Sequence, residues 1–150
     1  MEKRMKTSKY ILLFVPIAML LTACGPKATE MPVFQGNNPY APQANDRDLM
    51  RDDITIDSAS VSLTKSQPPQ VTLNFAYFQP TPCYQLRLEV NGPDAQKRID
   101  ISAYAVAEKD KPCTLMALAT PLQASLNLGS LPSGHYSLWL NGAKVDEFDS

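Results

Sequence analysis

From residue 54 to the end of the chain, hydrophobic and polar residues alternate with a period of two, the spacing of strands that bury one face. In QVTLNFAYF, Val71, Leu73, Phe75 and Tyr77 point one way and Thr72, Asn74 and Ala76 the other. YQLRLEV sets Tyr84, Leu86, Leu88 and Val90 against Gln85, Arg87 and Glu89. RIDISAYAV places Ile99, Ile101, Ala103 and Ala105 on one side, and LQASLNL does so with Leu122, Ala124, Leu126 and Leu128. Helical spacing accounts for none of these runs. The breaks between them are turn-like: SQPPQ at 66–70, NGPD at 91–94, and Asn141-Gly142. The last pair suits a type I′ hairpin turn, whose two central residues need positive φ. The pattern predicts seven strands, over 54–63, 70–78, 84–90, 98–106, 121–128, 134–140 and 143–148. That number and spacing describe an all-β chain folded as a seven-stranded antiparallel two-sheet sandwich.

Residues 25–53 lack any sustained apolar period and hold four prolines and two glycines, so they read as a flexible linker. A coil of about 28 residues reaches roughly 30 Å on average. Its end, NDRDLMRDD, brings Asp46, Asp48, Asp52 and Asp53 close to Asp57. Their spacing is not that of a calcium-binding EF-hand loop, and they read as a solvated acidic face.

The start of the chain is different in kind. MEKRMKTSKY is basic, ILLFVPIAMLL is an apolar run too short to span a bilayer as a permanent helix, and LTAC follows at 21–24. Leu21-Thr22-Ala23-Cys24 resembles the lipobox of bacterial lipoproteins at all four positions. The resemblance implies a signal peptide over 1–23, cleavage between Ala23 and Cys24, and acylation of Cys24 with diacylglyceryl and, commonly, palmitate chains. Each buried methylene contributes about 0.8 kcal/mol, so two or three chains hold the protein firmly on a membrane. Gly25 stands where an aspartate would signal inner-membrane retention in enteric bacteria, which points toward an outer membrane. The expected organisation is then signal peptide 1–23, lipidated cysteine and linker 24–53, and sandwich domain 54–150, on the cell membrane or outer membrane and facing outside the cytoplasm.

With Cys24 assigned to lipid, Cys83 and Cys113 remain, and two cysteines in an exported domain are expected to pair. The segment LPSGHYSLWLNG at 131–142 resembles the ending common in bacterial Ig-like and transthyretin-like modules. That resemblance implies architecture and no activity.

Charge and chemistry narrow the function by exclusion. The 150 residues carry a formal charge of −1, but from Cys24 onward ten basic residues face fourteen acidic ones, and no basic stripe offers itself to nucleic acid. The single histidine, His135, has no GxSxG-type nucleophile setting to serve, and one histidine cannot furnish a zinc site. No catalytic residue, metal or cofactor is expected. If Tyr136, Leu138 and Leu140 face the core, then His135, Ser137 and Trp139 share the opposite face, and an outward tryptophan is a candidate contact residue. The expected function is non-catalytic binding of a protein or envelope component by a lipid-anchored sandwich. The alternatives are a structural accessory subunit of an envelope complex, or a loop-based inhibitor or enzyme.

Overall fold

A computed structural model describes residues 36–113 and 120–150. The expected signal peptide, the Ala23/Cys24 cleavage site and lipidated Cys24 lie outside these residues, as does the first part of the expected linker. Within the described residues, a short 3-10 turn at Asp46–Asp48 precedes eight strands: β1 Met50–Asp53, β2 Thr55–Leu63, β3 Val71–Phe78, β4 Gln85–Asn91, β5 Arg98–Ala107, β6 Leu122–Gly129, β7 His135–Leu140 and β8 Ala143–Asp149. They form two sheets, one of five strands and one of β2, β3 and β6. Among the described residues no helix is long and apolar enough to cross a membrane.

The period-two pattern reports the core well. Val71, Leu73, Leu88, Ala105, Leu126 and Leu138 are fully buried between the sheets, with Phe75, Ile99, Ile101, Leu128, Tyr136 and Leu140 almost so. The small sheet supplies one wall through β3 and β6, and the large sheet supplies the other through β4, β5 and β7.

Two expectations need correction. The strand expected over 54–63 forms as β2, but a further strand, β1, precedes it, and the chain changes sheets at Ile54: β1 pairs with β5 of the large sheet, and β2 pairs with β3 of the small one. Ile54 itself is buried in the core, which fixes the crossover point. The eighth strand therefore comes from residues expected to be linker. The sheets are also not wholly antiparallel, because β5 and β7 run parallel, with Arg98 opposite Ser137 and Asp100 opposite Trp139. Period-two alternation carries no information about strand direction, so this pairing was not readable from the sequence.

Strand β5 is long enough for one of its edges to serve two partners. Residues 98–101 pair with β7 and residues 104–107 with β1, while β4 occupies the other edge. Asn141 bridges the gap between β7 and β1. Its N–H donates to the Ile101 carbonyl at 2.9 Å, its side-chain Oδ1 accepts from the Ala103 N–H at 2.7 Å, and its Nδ2 donates to the Ala103 carbonyl at 2.9 Å. The side chain amide thus takes the place of a peptide group in the ladder. Asn141 has φ 48° and Gly142 φ 80°, as the expected hairpin turn requires. Replacing Asn141 by Ala leaves the Ala103 peptide without these partners and forces an ordinary residue into the left-handed region, at an expected cost of about 2–3 kcal/mol. Asn141→Gly relieves the backbone term alone, so its denaturation midpoint should fall between those of Asn141→Ala and the parent chain.

Candidate functional site

The outward face of the five-stranded sheet is divided in two. On the half beside β1, the chain from residue 38 to 49 lies against the sheet, leading into β1 itself. The Asn38 Nδ2 donates to the Leu88 carbonyl at 2.8 Å, and the Leu88 N–H donates to the Tyr40 carbonyl at 2.8 Å, so these residues occupy the outer edge of β4. Arg87 projects outward from β4, as alternation predicts, yet it is 5% exposed. Its Nε donates to Asp46 Oδ2 at 2.8 Å, its Nη2 to Asp46 Oδ1 at 3.0 Å, and its Nη1 to the Leu86 carbonyl at 3.1 Å. Gln85 Oε1 accepts from the same Nη2 at 3.2 Å.

Asp46 also accepts from the Gln43 N–H at 2.7 Å. The hydrogen bonds from Arg87 hold its carboxyl below the usual carboxylate range, with burial opposing and the Gln43 bond adding to the effect. Beside this pair, the Arg51 guanidinium stacks 3.6 Å over the buried Tyr104 ring. The acidic face expected at 46–57 is therefore not uniformly solvated: Asp46 is a largely covered ion-pair partner. Arg87, expected on a polar face, and Tyr104 lie under residues that the sequence presented as linker.

The half of the face beside β7 is open. Here the three residues expected as a contact face lie on one side of β7: His135 exposed, Ser137 and Trp139 half-buried. Trp139 stands opposite Asp100 of β5 and Lys144 of β8. Arg98, two residues before Asp100 on the same face, forms two 2.6 Å hydrogen bonds to the Asp100 carboxylate, and its guanidinium lies 4.1 Å from the Trp139 ring centroid. The indole N–H donates to Ser137 Oγ at 3.3 Å. The strands thus assemble an aromatic ring, a cation stacked on it and a carboxylate that holds the cation. Among the described residues, Arg98 is the cation stacked on the Trp139 ring.

Arg98 and Asp100 were not recognised from the sequence as members of this face. Their i, i+2 spacing places them on one side of β5, but that β7 lies beside them follows only from the parallel pairing.

His135 Nδ1 is 3.0 Å from Asp149 Oδ1, but both side chains are largely exposed, and the other ring nitrogen faces Glu147 at 3.9 Å rather than a hydroxyl. Both ring nitrogens of His135 thus face carboxylates. Among the described residues, no group of three His, Cys, Asp or Glu side chains is arranged to hold a metal ion.

A separate cleft of about 810 Å³ opens between residues 43–50, the start of β4 and the 108–113 arm. The disulfide between Cys83 and Cys113, with Cα atoms 6.0 Å apart, forms part of its wall. Thr81 Oγ1 lies 3.1 Å from Cys113 Sγ. Three cations line it, Arg87, Lys109 and Lys111; Arg87 is engaged by Asp46 and Lys111 by Glu108 at 3.1 Å. Tyr84, also on the wall, donates its hydroxyl to Asp52 at 3.3 Å; burial first, and then the nearby carboxylate, raise its pKa.

Comparisons with protein-family models, with curated proteins and with solved structures returned no match. The two sheets, the Cys83–Cys113 disulfide and the open Trp139 face are therefore interpreted from this chain's own geometry.

Proposed function

We propose that the protein is a non-catalytic binding lipoprotein of the bacterial cell envelope, anchored through acylated Cys24, that engages a protein or envelope component through the Trp139 face. The observation that carries this reading is the Arg98–Trp139–Asp100 cluster on the uncovered half of the large sheet. Tryptophan and arginine are the side chains most enriched at binding hot spots. Here they sit on rigid strands and hold each other in place, which lowers the conformational entropy lost on binding. The sandwich architecture supports a module of the Ig-like kind: Tyr136, near the start of β7, donates its hydroxyl to the Pro132 carbonyl at 2.7 Å, the geometry of a tyrosine corner. The parallel β5–β7 pair departs from the usual antiparallel arrangement.

Two measurements test the reading. Mass spectrometry of the mature protein should find an acylated amino-terminal Cys24; an unmodified terminus elsewhere refutes the anchor. Pull-down from detergent-solubilised membranes should recover a partner that Trp139→Ala loses by about tenfold or more. Arg98→Ala should weaken the same interaction, with an unchanged unfolding transition. A partner retained in full by Trp139→Ala sinks the proposed face, and a complex that needs no residue of it favours the accessory-subunit alternative.

A further inference from the structure

The two sulfurs of the Cys83–Cys113 bridge have different surroundings. Cys83 is exposed in the loop between β3 and β4, whereas Cys113 is half-buried at the end of the 108–113 arm. The loop that carries Cys83 is held from within. The buried side chain of Gln79 donates through Nε2 to the Thr81 carbonyl at 3.0 Å and to the Tyr84 carbonyl at 3.1 Å, and the Tyr84 N–H donates to the Thr81 carbonyl at 3.3 Å. Pro80 and Pro82 flank Thr81 and restrict the backbone further. Thr81 is thereby fixed beside the bridge.

Its hydroxyl treats the two sulfurs differently. The oxygen accepts from the Cys83 N–H at 3.4 Å and lies 3.1 Å from Cys113 Sγ. A disulfide sulfur carries no proton, so in that contact the hydroxyl is the donor and Cys113 Sγ the acceptor. The bond strengthens as negative charge forms on Cys113 Sγ, because hydrogen bonds to ionised acceptors are about twice as strong as neutral ones.

The rate of thiol–disulfide exchange depends on which sulfur can be reached and on how readily the other leaves. We infer that the bridge is an exchange site entered at Cys83. The incoming thiolate of a small thiol forms a new S–S bond to Cys83 Sγ. The electron pair of the old bond passes to Cys113 Sγ, which leaves as a thiolate held by the Thr81 hydroxyl. One thiolate is consumed and one is released, so the step needs no oxidant. Its product is a mixed disulfide at Cys83, with the 108–113 arm no longer covalently tied to the start of β4. The arm and the start of β4 both line the 810 Å³ cleft, so exchange at Cys83 alters the wall of that cleft.

The direction of exchange can be read by peptide mapping. Reduced glutathione added to the folded full chain, and quenched with acid at early times, should be found on Cys83 with Cys113 as the alkylatable thiol, by about tenfold over the reverse. Thr81→Val keeps the shape of the side chain and removes the hydroxyl; it should slow the exchange roughly three- to tenfold. Thr81→Ser keeps the hydroxyl and should react at the parent rate. A role for Thr81 in packing alone would give the opposite order. Glutathione found mainly on Cys113 or equally on both sulfurs, an unchanged rate in Thr81→Val, or a bridge that yields to glutathione only once the chain is unfolded would each overturn the inference.

Discussion

Asp46→Ala is expected to release residues 38–49 from the large sheet and to lower stability by about 3 kcal/mol, because it leaves the Arg87 guanidinium buried without its carboxylate. The size follows from burial: Arg87 and Asp46 side chains are only 6% and 10% exposed, so neither is screened as a surface pair would be. Detachment of the segment sets an upper limit, since it returns Arg87 to water. Hydrogen exchange distinguishes this local opening from global loss. The Leu88 amide, which donates to Tyr40, should exchange faster in Asp46→Ala, whereas amides of β3 and β6 should change little. Replacing both partners, Asp46→Leu with Arg87→Met, should recover much of the loss, because an apolar pair has no desolvated charge to satisfy. An Asp46→Ala chain with an unaltered Leu88 exchange rate would show that the ion pair does not hold the segment.

The same pair gives the docked segment a pH dependence of definite sign. The folded-state carboxyl of Asp46 titrates below its unfolded-state value, chiefly because Arg87 donates to it. Its stabilising contribution is therefore complete above the unfolded value, and is lost as the pH falls below about 4 and through the lowered folded-state value. Protection of the Leu88 amide in the parent chain should fall over that acid range, and the fall should be absent in the apolar double variant.

Removing the disulfide is expected to have an effect of similar size. Cys83 and Cys113 are separated by 30 residues that contain β4 and β5, two of the strands that wall the core. Closing a loop of that length stabilises the fold by roughly 3.5 kcal/mol in the chain-entropy model. The paired substitution Cys83→Ser with Cys113→Ser should therefore lower the unfolding midpoint by about 15–25 °C for a domain of about 100 residues. Reduction of the parent chain should produce a comparable shift, while the substituted chain should be insensitive to reductant. A midpoint that does not move would mean that the bridge adds little to a core already complete.

How far the sequence carried can be seen at individual residues. Leu73, Leu88, Ile101, Leu126 and Leu138 were legible as core because a half-buried strand must alternate, and they are buried. The Asn141-Gly142 turn was legible because few residues tolerate positive φ. The disulfide was expected once an odd cysteine was set aside, and it forms. Arg87 shows where such reasoning ends. Alternation places it outward, correctly, but outward is exposed only if no other chain segment lies there, and Asp46, 41 residues away, covers it. Trp139 is the converse case: its face was legible, while Arg98 and Asp100 joined it only through a parallel pairing that no local pattern encodes.

The sequence by itself determined the all-β character, the inward face of the main strands and the hairpin turn, because each depends on residues close together in the chain. Tertiary structure alone decided that residues 38–49 dock on the sheet, that β5 shares one edge between β1 and β7, and that Arg98 stacks on Trp139. These depend on which strands become neighbours, a choice made by packing over long sequence separations, where the local period is the same for every candidate partner.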